Sequence, residues 1–268
     1  MKAFQVTAQA DGAVIRPLAF PTVYRKGDVP AEPYRRQASG EIPPLNLNLS
    51  PLRFFRTIIV KEGSFAGFAS ESSGALLTIV NSGGLTLSVR GGPATQLTAG
   101  DVLLVDAESA SRIAVTAHGE CRLTQAGVAA DWPGPDAKLQ APGTVRPRDA
   151  GKVNIKRVYK GKDDLAYFSE FPELFPAPVN QWSAPRAAVG FRFMCWEDGM
   201  LDWHPEVVNN FGTVLSGELE LETGDGRIEV FHAGDICMAE DRTGKGHIDR
   251  ARGMVHVFLI VVDTKDLW

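Results

Sequence analysis

The sequence predicts an all-β protein built as two small antiparallel barrels in tandem. Three observations carry that prediction. Short β-branched and apolar runs bounded by Gly, Asn and Asp recur through the chain, as in "FFRTIIVKEG", "ALLTIVNSGGLTLSV" and "MVHVFLIVVDT"; this is the pattern of strands joined by tight turns. Long amphipathic helical stretches are absent. The two halves also repeat. "NSGGLTLSV" at Asn81 matches "LSGELELET" at Leu215, and "TAGDVLLVDA" at Thr98 matches "HAGDICMAED" at His232. Gly83 and Gly217 lie 134 residues apart, as do Gly100 and Gly234, and Asp101 and Asp235. Two matches at one offset, with no gap between them, indicate an internal duplication.

The elements follow in order. Residues 1–50 have little periodicity, and "RKGDVPAEPYRRQASGEIPPLNLNLS" is rich in Pro and charge, so the first fifty residues read as an extended arm. Residues 51–130 hold the first set of strand runs and form the N-terminal barrel. Residues 131–186 open on "DWPGPDAKLQAPGTVRPRDAGK" and read as a linker or wrapping segment, with a short helical turn in "KDDLAYFSEFPELFP". Residues 187–268 form the C-terminal barrel.

Composition narrows the function. Hydrophobic residues make up 44% of the 268 residues and charged residues 22%, which suits a globular chain with a sizeable core. A net charge of −4 supplies no electrostatic attraction to nucleic acid or an anionic membrane. No apolar run has the length of a membrane helix, and "MKAFQVTAQADGAVIRP" lacks the apolar stretch of a secretory leader. The three cysteines, Cys121, Cys195 and Cys237, form no CxxC pair and sit in strand-like runs. They read as buried free thiols in a reducing compartment, so a cytoplasmic location is expected.

The pattern "LSGELELETGDGRIEVFHAGDICMAEDRTGKGH" resembles the cupin superfamily, and the C-terminal half is similar to small single-barrel bacterial cupins. The resemblance implies two jelly-roll (double-stranded β-helix) barrels, a bicupin, and a tendency to form homodimers. It places Gly217 at the hairpin of the first motif and Gly234 at the turn of the second. The family's metal positions then fall on His204, Glu206, Asn210 and His247. The usual set is three histidines and a glutamate. Here Glu206 replaces the middle histidine and Asn210 the glutamate. In the first half, the same positions fall on Ser70, Ser72, Leu76 and Ile113, which implies an N-terminal barrel without a metal site.

Side chains two apart on a strand share a face. His204, Glu206 and Asn210 are therefore expected to point one way, and Trp203, Val207 and Phe211 the other. Two imidazoles and one carboxylate match the facial set that holds iron(II) with open positions, and they suit zinc, manganese or nickel as well. The alternative is a hydrogen-bonded His–Glu pair without metal. His256 shares a face with Met254, Phe258 and Ile260; it could line the barrel mouth or be a satisfied core histidine. Asp241, Thr243 and Lys245 could border the pocket entrance, and Trp203 its apolar lip. His118 and His232 read as surface residues.

Two function classes follow. One is an enzyme of dioxygenase, isomerase or lyase type, with His204, Glu206 and His247 as metal ligands. Without metal, Glu206 would serve as general base with a histidine as its partner acid. The other is a metal-free bicupin that binds a small ligand or acts structurally. The expected pocket residues are Asn210, Trp203, His256 and Asp241. The expected partners are a small molecule and a second copy of the chain, not nucleic acid or membrane.

Overall fold

A computed structural model describes residues 1–9, 12–18, 20–25, 49–65, 68, 74–89, 92–132, 139–140 and 153–263. Ser70, Ser72 and most of the Pro-rich stretches lie outside the described residues. The first half contains β1 (Ala3–Gln9), β2 (Gly12–Pro17), β3 (Phe20–Arg25), β4 (Phe54–Val60), β5 (Gly63–Phe65), β6 (Ala75–Val89), β7 (Thr95–Thr98), β8 (Val102–Asp106), β9 (Ile113–Val128) and β10 (Leu139–Gln140). The second contains β11 (Ile155–Lys160), β12 (Ala166–Glu170), β13 (Gly190–Trp196), β14 (Gly199–His204), β15 (Asn210–Glu222), β16 (Ile228–Phe231), β17 (Ile236–Ala239) and β18 (His247–Val261).

The fold is all-β, with two tandem barrels of one topology. The first sheet runs β2-β1-β8-β6-β9-β4, with β5 on β9 and β7 on β6. The second runs β12-β11-β17-β15-β18-β13-β3-β10, with β14 on β18 and β16 on β15. From β12 to β13 each strand has its counterpart in the first order, down to the parallel pairs β1–β8 and β11–β17; β3 and β10 extend the second sheet beyond the repeat. The duplication thus extends beyond the two matching segments to the whole strand order.

Two expected boundaries are corrected. The arm expected over residues 1–50 contains β1 and β2, which are strands of the first sheet, and β3, which pairs in parallel with β13 of the second. The linker expected over 131–186 contains β11 and β12, which are part of the second sheet. In both places the hairpins carry little apolar signal: in "AFQVTAQ" only Ala3 and Val6 are buried, and Gln5, Thr7 and Gln9 break the apolar pattern. The helical turn expected near Phe171 is a 3-10 turn, Pro172–Leu174, that follows β12.

Gly217 is not at a hairpin. It lies inside β15 at a β-bulge, with φ +80°, and Gly83 does the same in β6 with φ +77°. A side chain at Gly217 would overlap Met254 and Val255 of β18. The bulge bends β15, so that Asn210–Thr213 pair with β17 and Leu219–Glu222 with β16 while β18 follows along both. One long strand thereby serves both walls of a barrel.

Alternation sorts the core into three parts. Val255, Val257, Leu259 and Val261 of β18 fill the second barrel with Val214, Leu219 and Leu221. Phe258 and Ile260, between them, face the first half and pack with Phe55, Phe191 and Phe211. The first barrel is filled by its own cluster, including Ile58, Val80, Leu85, Leu87 and Leu123. The Phe55–Phe211 ring pair, with centroids 5.5 Å apart, spans the two halves.

The Gly–Asp turns close this junction. The Asn81 side-chain amide donates to the Gly234 carbonyl across the halves (3.2 Å). Gly234, at φ +92°, meets the backbone of Asn81 so closely that a methyl group would overlap its carbonyl oxygen. Gly100, at φ +83°, meets Leu215 in the same way. The aspartates that follow are buried and accept backbone N–H bonds. Asp235 takes those of Asn154 (2.6 Å) and His232 (2.8 Å); Asp101 takes those of Lys2 and Thr98.

Gly234→Ala should lower stability by roughly 2–4 kcal/mol, because it combines backbone strain with a steric clash at a buried junction. Gly226→Ala, also at positive φ (+83°) but with open space around it, should cost only about 1 kcal/mol. Urea-denaturation midpoints of the two variants would check the difference.

Candidate metal centre and cavity

Four segments of the second barrel meet at one end of its interior. β14 ends at His204, where Pro205 removes the backbone N–H that would continue the ladder. The chain then crosses through 205–209 and enters β15 at Asn210. His204, Glu206 and Asn210 therefore do not share one strand, which corrects the common face expected from alternation. Glu206 sits in the crossing, and its backbone N–H donates to the Asp241 carbonyl (3.3 Å). β18 begins at His247, which is the register partner of His204. Gly246, at φ +74°, lies against the His204 carbonyl with no room for a side chain. That close approach holds the two histidine strands together.

His204 and His247 are both 1% exposed, and their rings stand 4.6 Å apart between centroids. Each Nδ1 is engaged. That of His204 is 2.8 Å from the Asp202 carbonyl oxygen, and that of His247 is 2.7 Å from Asp241 Oδ2. A carbonyl oxygen only accepts, so His204 carries its proton on Nδ1 and leaves Nε2 as a lone-pair donor when neutral. The Asp241 carboxylate favours the same tautomer in His247. One donor atom each from His204, Glu206 and His247 lies within 4.8 Å of the others.

Sequence reasoning missed Asp249. Its Oδ2 is 3.7 Å from His204 Nε2, and its Oδ1 is 3.5 Å from His247 Nε2. The signal was present in "HID": Asp249 is two residues beyond His247 on β18 and shares its face. Asp241 was expected at the entrance. It is instead completely buried beside His247, while Thr243 and Lys245 remain exposed on the loop that follows. Burial disfavours a charged His247, but Asp241, Asp249 and Glu206 together outweigh it and raise its pKa to about 10.

The cluster opens into a cavity of about 70 Å³. Asn210 lines it, with its amide donating to the Val208 carbonyl (3.1 Å). Most of the wall is apolar, with Met194, Val214, Leu221 and Val257 among the residues present. Trp203 is outside this lining; its ring lies under Lys245 Nζ at 3.4 Å. His256 is outside it too. It is buried on the opposite face of β18, with Nδ1 2.8 Å from Ser216 Oγ, which makes it a satisfied core histidine. His118 is exposed against Thr86 (2.6 Å), and the His232 side chain is 40% exposed. In the first half, Leu76 is buried and Ile113 half-buried, and neither can ligate a metal. No described helix is long and apolar enough to cross a membrane.

No family model matches the chain, and no curated protein matches it. Among solved structures, it is similar to a protein of unknown function of the DUF861 family from Pseudomonas syringae pv. tomato. Identity there is 14% over 98% of this chain and 100% of that one, with a TM-score of 0.37. A Cupin 2 conserved barrel domain protein from Leptotrichia buccalis is 16% identical over 82% of this chain and 96% of that one, with a TM-score of 0.35. The bacterial pirin YhhW from Escherichia coli, solved in complex with nickel(II), is 13% identical over 82% and 87%, with a TM-score of 0.31. Likeness at this level assigns no activity to this chain.

All three cysteines are buried and free. Burial pushes the thiol pKa of Cys121 up, that of Cys195 to about 11, and that of Cys237, beside the acidic cluster, well above its ordinary value. At pH 8 a thiol with a pKa near 11 is only about one part in a thousand thiolate. The folded protein should therefore resist a colorimetric disulfide reagent and release three equivalents only in denaturant. Rapid modification of the native protein would contradict this account.

Proposed function

We propose that the chain is a metal-dependent enzyme acting on a small molecule, with its active site in the C-terminal barrel. His204, Glu206 and His247 hold a divalent first-row transition metal, and Asp249 stands beside both imidazoles as a further oxygen donor. The observation that carries this reading is the orientation of the two histidines. Each has its Nδ1 tied to an acceptor and its other nitrogen turned toward a shared carboxylate. Outer partners of this kind, a backbone carbonyl and a buried carboxylate, are what fixes the tautomer and aim of metal-binding histidines.

The donor set fits such an ion. Glu206, Asp241 and Asp249 gather negative charge in a site that is largely closed to water, and a divalent cation offsets it. Two nitrogens with carboxylate oxygens suit manganese, iron, zinc or nickel rather than a soft copper(I) site. When bound, the metal would act as a Lewis acid or oxygen activator toward a substrate in the cavity. The protein's own contribution is shape and exclusion of water: His204 and His247 are held rigidly, and the apolar wall keeps the reacting group dry. Dioxygenase, isomerase and lyase chemistry all fit this arrangement.

Elemental analysis of protein purified with each metal in turn should find about one equivalent in the wild type. His204→Ala and His247→Ala should abolish it. Asp241→Asn, which leaves the three ligands in place, should weaken affinity by about 10–100-fold. A wild-type protein that binds none of the four metals would overturn the proposal.

A further inference from the structure

A second group of metal-ligating side chains meets on the outer face of the second barrel, away from the cavity. Cys195 on β13 is the register partner of His256 on β18, and His256 is in turn the partner of Ser216 on β15. Met254 lies two residues before His256 on β18 and shares its face. The Cys195 thiol donates to the Met254 thioether, with the two sulfurs 2.9 Å apart. Cross-strand register thus gathers a thiol, a thioether and an imidazole at one point.

The matching row of the first barrel has a different chemistry. There Ile59 on β4 pairs with Arg122 on β9, and Arg122 with Ser82 on β6. His256 and Arg122 are 134 residues apart, as are Met254 and Glu120, and Ser216 and Ser82. Arg122 and Glu120 form an ion pair (2.8 Å), which is ordinary for a sheet surface. The serine is common to both rows. Where the first barrel has an apolar side chain and an ion pair, the second has three soft or borderline ligands.

Ser216 sets the aim of the imidazole. Its Oγ is 2.8 Å from His256 Nδ1. Ser216 and Cys195 flank His256 from opposite neighbouring strands, so an Nδ1 turned to Ser216 leaves Nε2 on the side of β13. The serine hydroxyl can accept from Nδ1–H, and Nε2 then offers its lone pair to a metal. Cys195, Ser216 and His256 are buried, whereas Met254 is 41% exposed. The thioether therefore gives an ion its way in from solvent. Thiol and thioether ligands select copper(I), not the harder divalent ions that suit His204, Glu206 and His247.

We propose that Cys195, Met254 and His256 form a second metal site, one for copper(I), on the face of β13 and β18 that looks away from the cavity. Two sulfurs and Nε2 hold the ion in three-coordinate form. On binding, the thiol proton leaves to solvent and the thiolate takes the ion. The site does not depend on how the cavity is read, because its ligands lie on the opposite face of the same strands.

The test titrates the reduced full-length protein, without oxygen, against the coloured copper(I) complex of bicinchoninate. The wild type should withdraw about one equivalent of copper(I). Cys195→Ser should abolish the withdrawal. Met254→Leu, at an exposed position where the fold is not at risk, should raise the copper(I) Kd at least about tenfold, since even the loss of an outer partner weakens a metal site on that scale. Cys121→Ser and the double variant His204→Ala, His247→Ala should keep wild-type copper(I) binding. X-ray absorption of the loaded wild type should show two sulfurs and one nitrogen around the ion. No withdrawal by the wild type, or withdrawal unchanged in Cys195→Ser or in Met254→Leu, would overturn the proposal. Copper(I) binding lost in the double variant would place the ion in the cavity and overturn it as well.

Discussion

Gly100 and Gly234 press their backbones against each other's barrel, and the rest of the molecule is arranged around that reciprocal contact. Only a residue without a side chain, in the left-handed region, can turn the chain at this distance from another strand's carbonyl. Each glycine is followed by a buried aspartate that gathers backbone N–H groups from its own turn and from the first strand of its barrel. The turn, the hairpin that opens each barrel, and the seam between halves are thus tied at one point. Phe55, Phe191, Phe211 and Phe258 fill the seam beside it.

This seam explains why the Asn210–Ser216 part of β15 and the Val255–Val261 part of β18 have no solvated face. There the strands are covered by the other half on one side and line their own barrel on the other. Their side chains alternate between aromatic packing outward and the cavity inward. A polar group on either face must find a partner, since water does not supply one. His256 finds Ser216 on the outer face. On the inner face, His204 and His247 find a carbonyl and carboxylates, and the resulting cluster is both costly to bury and rigid once buried.

Much of this was legible in the sequence, and for a physical reason. The 134-residue offset survives because the bulge glycines Gly83 and Gly217 and the turn glycines Gly100 and Gly234 are the positions least able to change. The strands between them alternate visibly because one face is apolar. His204, Glu206 and His247 were reached by counting from those glycines under the family resemblance, and the structure brings one donor atom of each within 4.8 Å of the others. β1, β2, β11 and β12 were illegible because these hairpins at a sheet's edge carry little apolar signal. Asp249 was missed and Asp241 was set at the entrance because their role depends on burial, and a local pattern of charged residues near glycines looks the same whether it faces solvent or a histidine. His256 could be placed only once the seam was known to cover its face of β18.

The filled interior of the first barrel has a consequence for how the protein tolerates change. Its position equivalent to Asp249 is Val115, packed with Ile58, Val80 and Leu87, and Arg56 donates to Gln125. That half gains packing where the other half gathers like charges. The two barrels are joined through the seam, so a substitution in one cavity leaves the packed cluster of the other intact. New pocket shapes can then arise in β13, β15 and β18 by single substitutions without the chain as a whole losing its fold.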